Sequence, residues 1–143
     1  MTIARIIADR DAKDIVTCDI SSTVAQAITT LAEKRIGAMP VMRDGAVVGI
    51  VSERDMIYCL SDQGGECLDR PVETIMTSPV STVTPKTKID EALSLMSRRR
   101  FRHFPVLDGD KLVGFISIGD LVKTKIDEIE NEAAAMRNYI TTG

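Results

Sequence analysis

Apolar residues along this chain recur first at the period of a helix and then in short unbroken runs. Four of them are spaced i, i+3, i+4 and i+7, which predicts the buried face of a helix: Val24, Ala27, Ile28 and Leu31. Two apolar runs follow, residues 39–42 and 46–51. The Arg43-Asp44-Gly45 segment between them predicts a β-hairpin, because glycine tolerates the positive φ of a tight turn.

Polar residues mark the ends of these elements. Thr23 and Gln26 have the spacing of a capping box at the helix start, and Gly37 is a candidate for the C-cap region. Residues 2–9 predict a short amphipathic helix or arm, and residues 14–18 a short strand. Ser52 begins a second helix that we expect to end near Leu60, and residues 71–76 predict a short helical turn.

The same pattern occurs twice, at a constant offset of 65 residues. From residue 15 to residue 57, nine of 43 positions are identical in the two copies. The pairs are Thr17/Thr82, Ala27/Ala92, Arg35/Arg100, Pro40/Pro105, Val41/Val106, Val48/Val113, Gly49/Gly114, Ser52/Ser117 and Asp55/Asp120. We therefore predict a strand-helix-strand-strand-helix unit repeated in tandem, since one copy of about 55 residues buries too little surface to be stable alone.

The last helix of the second copy is longer than its counterpart. Its apolar residues are spaced alternately by four and three, as in a heptad seam: Val122, Ile126, Ile129, Ala133, Met136 and Ile140. Such a narrow seam packs along its own module or against a second subunit. We expect a homodimer, because a helix that overhangs a compact pair has little of its own chain left to cover.

Composition narrows the class of protein. The chain is 44% apolar and 27% charged, as globular domains are, and its net charge of −3 argues against a general nucleic-acid binder. No apolar run reaches the 18 residues of a membrane helix, and the N-terminus lacks the apolar region of a signal peptide. We therefore expect a cytoplasmic protein that binds neither nucleic acid nor membrane.

The cysteines give no sign of a metal site or a disulfide framework. Cys18, Cys59 and Cys67 are odd in number and lack C-x-x-C spacing, and His103 is the single histidine. We expect three buried or reduced thiols.

A Ser-x-x-Asp motif follows each hairpin, as Ser52/Asp55 and Ser117/Asp120. Serine at the N-cap and aspartate at N3 are explained by helix capping alone. The same carboxylate at a helix N-terminus also suits a ribose diol, while free helix N–H groups suit phosphate. The two interpretations are compatible.

Basic residues distinguish the two copies. The Arg98-Arg99-Arg100-Phe101-Arg102-His103 run is either a solvated helix end or a phosphate clamp. The first copy is far less basic there but has Arg54 beside Asp55, where the second copy has Gly119. We expect the two clefts to differ in affinity or in ligand.

The first strand of each copy carries a matched hydroxyl, on Thr17 and Thr82. Each is either an ordinary β-branched strand residue or a hydroxyl contact to a ligand. In the second case the neighbouring Ile15 and Val80 would form an apolar slot for a base.

The repeated unit resembles the cystathionine-β-synthase (CBS) domain pair, or Bateman module, and in particular small stand-alone bacterial members. The most similar segments are Gly49-Ile50-Val51-Ser52-Glu53-Arg54-Asp55 and Phe101-Arg102-His103-Phe104-Pro105-Val106, within a resemblance over residues 2–125. It implies an α+β (α/β) fold of two β-α-β-β-α repeats in a pseudo-two-fold pair. We expect repeat one with its N-terminal arm at residues 1–62, a linker at 63–71, repeat two at 72–126 and a helical extension at 127–143.

The resemblance also implies an adenosine ligand between the repeats, which is AMP, ADP, ATP, NAD(H) or S-adenosylmethionine, and no metal. Asp55 and Asp120 would hold ribose hydroxyls. Contacts to ribose, phosphate or base would come from Ser52, Ser117, Thr17 and Thr82, and contacts to phosphate from Arg54, Arg102 and His103. The adenine slot would be lined by Gly37, Ala38, Met39, Pro40, His103, Phe104 and Pro105.

These features predict a non-catalytic regulatory module that signals energy or redox state by changing shape, with an unknown protein partner. The alternative is a structural dimerisation or adaptor protein with vestigial clefts. An enzyme is disfavoured, because the sequence has one histidine and no P-loop, G-x-S-x-G or G-x-G-x-x-G motif.

Overall fold

The structure, a computed structural model, describes residues 1–142. The first part contains α1 (Ile3–Ile7), β1 (Cys18–Asp19), α2 (Val24–Lys34), β2 (Ala38–Arg43), β3 (Ala46–Ser52) and α3 (Glu53–Gln63). The second contains α4 (Ile89–Arg99), β4 (His103–Asp108), β5 (Lys111–Ser117) and α5 (Ile118–Thr142). Short 3₁₀ segments lie at Ala12–Asp14, Gly64–Asp69 and Val72–Thr74. The predicted α+β fold with a long C-terminal helix is confirmed.

Each repeat is built on an antiparallel hairpin. Strand β2 pairs with β3, and β4 pairs with β5 in the matching register, with an irregularity at the same place in both ladders. The first turn places Asp44 at φ 49° and Gly45 at φ 81°, so the predicted hairpin turn is confirmed.

The first strand of each repeat is shorter than predicted. Only Cys18 and Asp19 pair, in parallel with β2, while residues 12–14 form a 3₁₀ turn capped by Asp11. In the second repeat a single bridge joins Val83 to Val106. The prediction of a strand over residues 14–18 is therefore wrong, because a local turn uses the backbone groups at its start.

Helix α2 begins as predicted and ends differently. Thr23 and Gln26 form the capping box, with the Thr23 N–H donating to Gln26 Oε1 at 2.9 Å. The left-handed residue that ends the helix is Arg35, at φ 54°, and Arg100 ends α4 at φ 59°. The assignment of the C-cap to Gly37 is therefore wrong by two residues.

Two matched hydrophobic cores hold the fold together. The first is centred on Val24, Leu31, Met39, Val41 and Val51, and the second on their counterparts Ile89, Met96, Phe104, Val106 and Ile116. Fully burying each side chain of this kind contributes about 1.5–3 kcal/mol. Among residues 1–142, neither core contains a buried charged residue.

The segment before each repeat packs on the other repeat. Ile3 of α1 is fully buried in the second core, and Val72 is fully buried in the first. The bridges Thr2↔Lys88 and Thr23↔Pro71 are the matching backbone contacts. This exchange of N-terminal segments joins the two repeats into one unit.

The segments that lead into the two repeats differ in length. Ile7 packs against Gly114 where Met76 packs against Gly49, so these residues are structural counterparts. Seven residues separate Ile7 from Ile15, and three separate Met76 from Val80. We call residues 8–14 the first lead-in and residues 77–79 the second. The first lead-in is longer by four residues and contains the 3₁₀ turn Ala12–Asp14.

The region between the repeats is helical and cross-linked. Helix α3 extends to Gln63 and is followed by the 3₁₀ turn Gly64–Asp69. A disulfide joins Cys59 to Cys67, and Cys18 is a buried free thiol. All three cysteines are buried. The expectation that all three are thiols is wrong, because the chain folds back within eight residues and brings Cys59 and Cys67 together.

The start of α5 packs on its own repeat, and the rest of its apolar seam is exposed. Leu121 is fully buried, and Lys125 Nζ lies 2.9 Å from Asp90 Oδ1 of α4. Exposure then rises from 43% at Val122 to 70% at Ile140. None of the helices within residues 1–142 is long and apolar enough to cross a membrane.

Candidate functional site

A cleft of about 410 Å³ lies where the two repeats meet, and we call it cleft one. The first repeat contributes the end of β3 and the start of α3, including Ser52, Arg54 and Asp55. The second contributes the entry to β4 and the segment that precedes its first bridge. Its lining residues there include Val80, Ser81, Arg100, Phe101, Arg102 and His103.

Asp55 is held at the edge of cleft one by a capping box. Its Oδ2 accepts hydrogen bonds from the Ser52 N–H at 2.9 Å and the Ser52 hydroxyl at 3.0 Å. Among the described residues, no hydrogen bond reaches Oδ1. Burial raises the pKa of Asp55, and the Ser52 hydrogen bonds and the nearby Arg54 charge offset this only in part. One carboxylate oxygen is thus oriented and available to a donor.

Cationic side chains line the same cleft as this carboxylate. Arg54, Arg100 and Arg102 all line cleft one. His103 lies beside them, and burial lowers its pKa despite the opposing effect of Asp120. Its ring stacks on Phe115 with centroids 5.3 Å apart. The cleft therefore combines a hydrogen-bond acceptor with groups that bind anions.

A second cleft of about 360 Å³, called cleft two, is related to the first by the repeat. Its lining includes Ile15, Val16, Ile36, Ala38 and Phe115, which lie 65 residues from Val80, Ser81, Phe101, His103 and Ile50 of cleft one. The remaining lining residues are Asp9, Arg10, Asp11 and Asp14 from the longer lead-in. This group has no matched counterpart in cleft one.

At the edge of cleft two, Asp120 is paired with an arginine. Arg10 Nη2 lies 2.7 Å from Asp120 Oδ1, and Nη1 lies 3.2 Å from Oδ2. The Ser117 N–H also donates to Oδ2, at 2.9 Å. Burial acts to raise the pKa of Asp120, but the hydrogen bonds and charge of Arg10, with those of Ser117, lower it overall. Both oxygens of Asp120 are therefore engaged.

Seven of the predicted site residues come together in cleft one: Gly37, Ser52, Arg54, Asp55, Arg102, His103 and Ser117. Ala38 lies in cleft two. Ser52/Asp55 form a full capping box, and Ser117/Asp120 form the same reciprocal pair. The capping interpretation of both motifs is therefore confirmed.

Asp120 lies beside cleft two through its pair with Arg10, and the six remaining predicted residues lie outside both clefts. Met39, Pro40, Phe104 and Pro105 are buried inside the hairpins. Thr17 and Thr82 are exposed, and Thr82 lines a different groove, beside Pro79 and Val80. Their neighbours Val16 and Ser81 line the clefts instead.

Arg100 and Phe101 of the predicted basic run also line cleft one. Arg10 was missed because it lies outside the ungapped repeat. The signal available for it was the difference in length between the two lead-in segments.

Comparison with known proteins identifies the repeated unit. The family model of the CBS domain matches residues 7–62 and 72–127. CBSX3, a mitochondrial CBS domain-containing protein of Arabidopsis thaliana, is 34% identical over 131 residues, which cover 88% of this chain. This chain spans 64% of the length of CBSX3. YhcV of Bacillus subtilis is 26% identical over 90% of this chain and 89% of its own length.

Solved structures share the fold. A CBS-domain protein from Burkholderia ambifaria MC40-6 has a TM-score of 0.82 at 42% identity, covering 89% of this chain and 95% of that chain. CBSX2 of Arabidopsis thaliana, determined in complex with AMP, has a TM-score of 0.73 at 26% identity, covering 88% of this chain and 96% of that chain.

Proposed function

The chain belongs to the CBS-domain family, with two CBS domains in tandem, and from this premise we propose that it is a regulatory module that binds an adenosine nucleotide in cleft one. The observation that carries the proposal is Asp55, whose Oδ1 is open while Oδ2 is fixed by Ser52. A carboxylate held in this way accepts hydrogen bonds from the two hydroxyls of a ribose.

The surroundings of Asp55 suit the rest of a nucleotide. Arg54, Arg100 and Arg102 supply the positive charge that phosphate requires. Ile50, Val80 and Phe101 supply apolar surface for the base. The AMP complex of CBSX2 supports adenosine monophosphate as one member of the ligand class, which we extend to ADP, ATP and NAD(H).

Binding in cleft one would couple the two repeats. A ligand there contacts Ser52 and Asp55 of the first repeat together with Ser81 and His103 of the second. It therefore favours one relative arrangement of the repeats over others, and its concentration sets the population of that arrangement. We propose that a protein partner reads this change and that the module catalyses no reaction.

We also propose that the chain acts as a homodimer through the exposed seam of α5. Val122, Ile126 and Ile129 are 43–52% exposed in the monomer. Ile129→Asp places a charge in the seam and should give monomers in light scattering coupled to gel filtration. Asn131→Asp, which adds the same charge at an exposed position outside the seam, should leave the dimer intact.

The test of ligand binding is a thermal-shift screen with AMP, ADP, ATP, NAD, NADH and S-adenosylmethionine, with GMP as control. A ligand at about 100 times its Kd adds roughly 2.7 kcal/mol of stability, which raises Tm by several degrees. Asp55→Ala should reduce the shift to about half or less at the same ligand concentration. Asp62→Ala, which removes an exposed carboxylate from the same helix, should retain it.

A shift with adenosine compounds and none with GMP would support a nucleotide sensor. The absence of any shift, on protein free of co-purified nucleotide, would contradict the proposal. It would favour the structural adaptor, for which the exposed seam of α5 supplies the dimer surface.

A further inference from the structure

We propose that Arg10 confines nucleoside binding to cleft one by occupying the carboxylate of cleft two. This inference rests on the proposed function, since it concerns which of the two related clefts accepts a ribose. Arg10 thereby determines which cleft binds the nucleoside and how many nucleoside sites each chain has.

The guanidinium of Arg10 occupies the positions beside Asp120 that the two hydroxyls of a ribose would need. Its two terminal nitrogens donate to the two oxygens of Asp120, at 2.7 and 3.2 Å. Nη1 also lies 3.5 Å from the carbonyl oxygen of Phe115, which lines cleft two. Paired, planar donors on a carboxylate satisfy the same lone pairs that two adjacent hydroxyls use.

The four additional residues of the first lead-in bring Arg10 to this position. On one side, Ile7 packs against Gly114, and the Arg10 N–H donates to the Ile7 carbonyl at 3.1 Å. On the other side, Asp11 caps the 3₁₀ turn by accepting from the Lys13 N–H at 2.9 Å. Arg10 is thus held between two ordered elements, so its reach toward Asp120 is set by the backbone.

In cleft one, paired backbone segments occupy the position that Arg10 takes in cleft two, and Asp55 keeps an open oxygen. Thr77 follows Met76 and pairs with Ile50 through hydrogen bonds of 2.8 and 3.1 Å. Ile50 is the counterpart of Phe115, whose carbonyl faces the Arg10 side chain. With only three residues between Met76 and Val80, the second lead-in has no arginine to offer to Asp55.

A ligand in cleft two must therefore displace Arg10 before its ribose reaches Asp120. The side chains of Arg10 and Asp120 are 46% and 25% exposed, so water can replace the pair once it opens. Replacing Arg10 with alanine removes the competing donors and leaves the Ser117/Asp120 cap in place. Asp9, Asp11 and Asp14 also line cleft two and repel phosphate, so the substitution should create a second site for an uncharged nucleoside.

Isothermal titration calorimetry tests the inference. Wild-type protein and Arg10→Ala are each titrated in turn with adenosine, AMP, ADP, ATP and NADH. Arg5→Ala removes the same charge at an exposed position of α1 and serves as the matched control. With adenosine we expect about one site per chain in wild type and Arg5→Ala, and about two in Arg10→Ala. Arg10→Ala combined with Asp55→Ala should then retain only the new site.

The outcomes separate the inference from the proposed function. One site in both wild type and Arg10→Ala overturns the role of Arg10 while nucleotide binding stands. Two sites in wild type, with one lost in Arg10→Ala, would show instead that Arg10 binds the ligand. No binding to any variant by adenosine or by any of the four nucleotides overturns both proposals.

Discussion

The two clefts share a Ser-x-x-Asp motif and a set of matched lining residues, yet the two aspartates have different partners. Asp55 bonds to Ser52 and leaves one oxygen open, whereas Asp120 bonds to Ser117 and to Arg10. The difference comes from a lead-in segment outside the ungapped repeat. Duplication of a motif therefore preserves the local cap, while the chemistry available at that cap depends on what packs beside it.

The largest expected effect comes from removing the aspartate carboxylate of each cleft in turn. Asp55→Ala should weaken nucleotide binding by about 10- to 100-fold, because hydrogen bonds to a charged acceptor contribute roughly 1.5–3 kcal/mol. Asp120→Ala should change the affinity less than about threefold, since surface ion pairs contribute little and Asp120 lies at the other cleft. Calorimetry on both variants measures the contrast. Equal losses would contradict the assignment of the site to cleft one.

The next effect concerns the glycines against which the lead-in segments pack. A Cβ at Gly114 would lie 2.7 Å from Ile7 Cγ2 and 3.3 Å from Val106, while one at Gly49 would lie 2.5 Å from Met76 Sδ and 3.1 Å from the Thr77 carbonyl oxygen. We expect either glycine-to-alanine change to lower the free energy of unfolding by about 1–3 kcal/mol.

Urea denaturation of both variants measures this cost. Gly45→Ala is not a suitable control, because Gly45 has φ 81° and alanine would be strained there. Gly65→Ala is suitable, since nothing lies within 4 Å of its added Cβ. Wild-type stability in both packed variants would contradict the close approach of the two segments.

A smaller effect is the pH dependence of binding. Because the pKa of Asp55 is raised, its carboxylate becomes protonated at a higher pH than usual as the solution is acidified. A protonated carboxyl accepts hydrogen bonds from a diol poorly, so affinity should fall by up to about tenfold per pH unit below that pKa. Calorimetry from pH 7 downward measures it, and Asp55→Asn should lose this dependence.

The smallest effect is the titration of the two carboxyls themselves. Carbon-detected NMR should place the pKa of Asp55 above the ordinary value of 3.8 and that of Asp120 below it. Asp120 then contributes stability above pH 3.8 that is lost as the pH falls through its folded pKa. Asp55 contributes stability below pH 3.8 that is lost as the pH rises through its folded pKa. In Arg10→Ala the pKa of Asp120 should rise, and an unchanged value would contradict the ion pair.

Short sequence patterns predicted the parts of the fold that depend on interactions between residues close in sequence. The capping box at Thr23 and the hairpin turn at Gly45 depend on residues within four positions of each other. Helical spacing predicted the buried face of α2, which places Val24 and Leu31 in the first core, and the repeat places Ile89 and Met96 at the matching positions of the second. Ser52 and Asp55 followed from the same local logic.

The remaining features depend on contacts between distant segments. Thr17 and Thr82 matched in sequence, but in an extended segment neighbouring residues face opposite ways, and Val16 and Ser81 line the clefts. Arg10 lies 110 positions from Asp120, so no local pattern joins them. The Cys59–Cys67 disulfide required the fold of the segment after α3, which composition alone left as a linker.

The most direct test of the unequal clefts is a backbone amide NMR titration of the wild-type protein with ADP. We predict saturable shift changes that are largest at Ser52, Asp55, Ser81 and His103. Any change at Ile15 and Val16, which line cleft two, should weaken together with the others in Asp55→Ala. Saturable changes at Ile15 and Val16 that keep their wild-type midpoint in Asp55→Ala would show that ADP binds cleft two independently. That result would contradict the account.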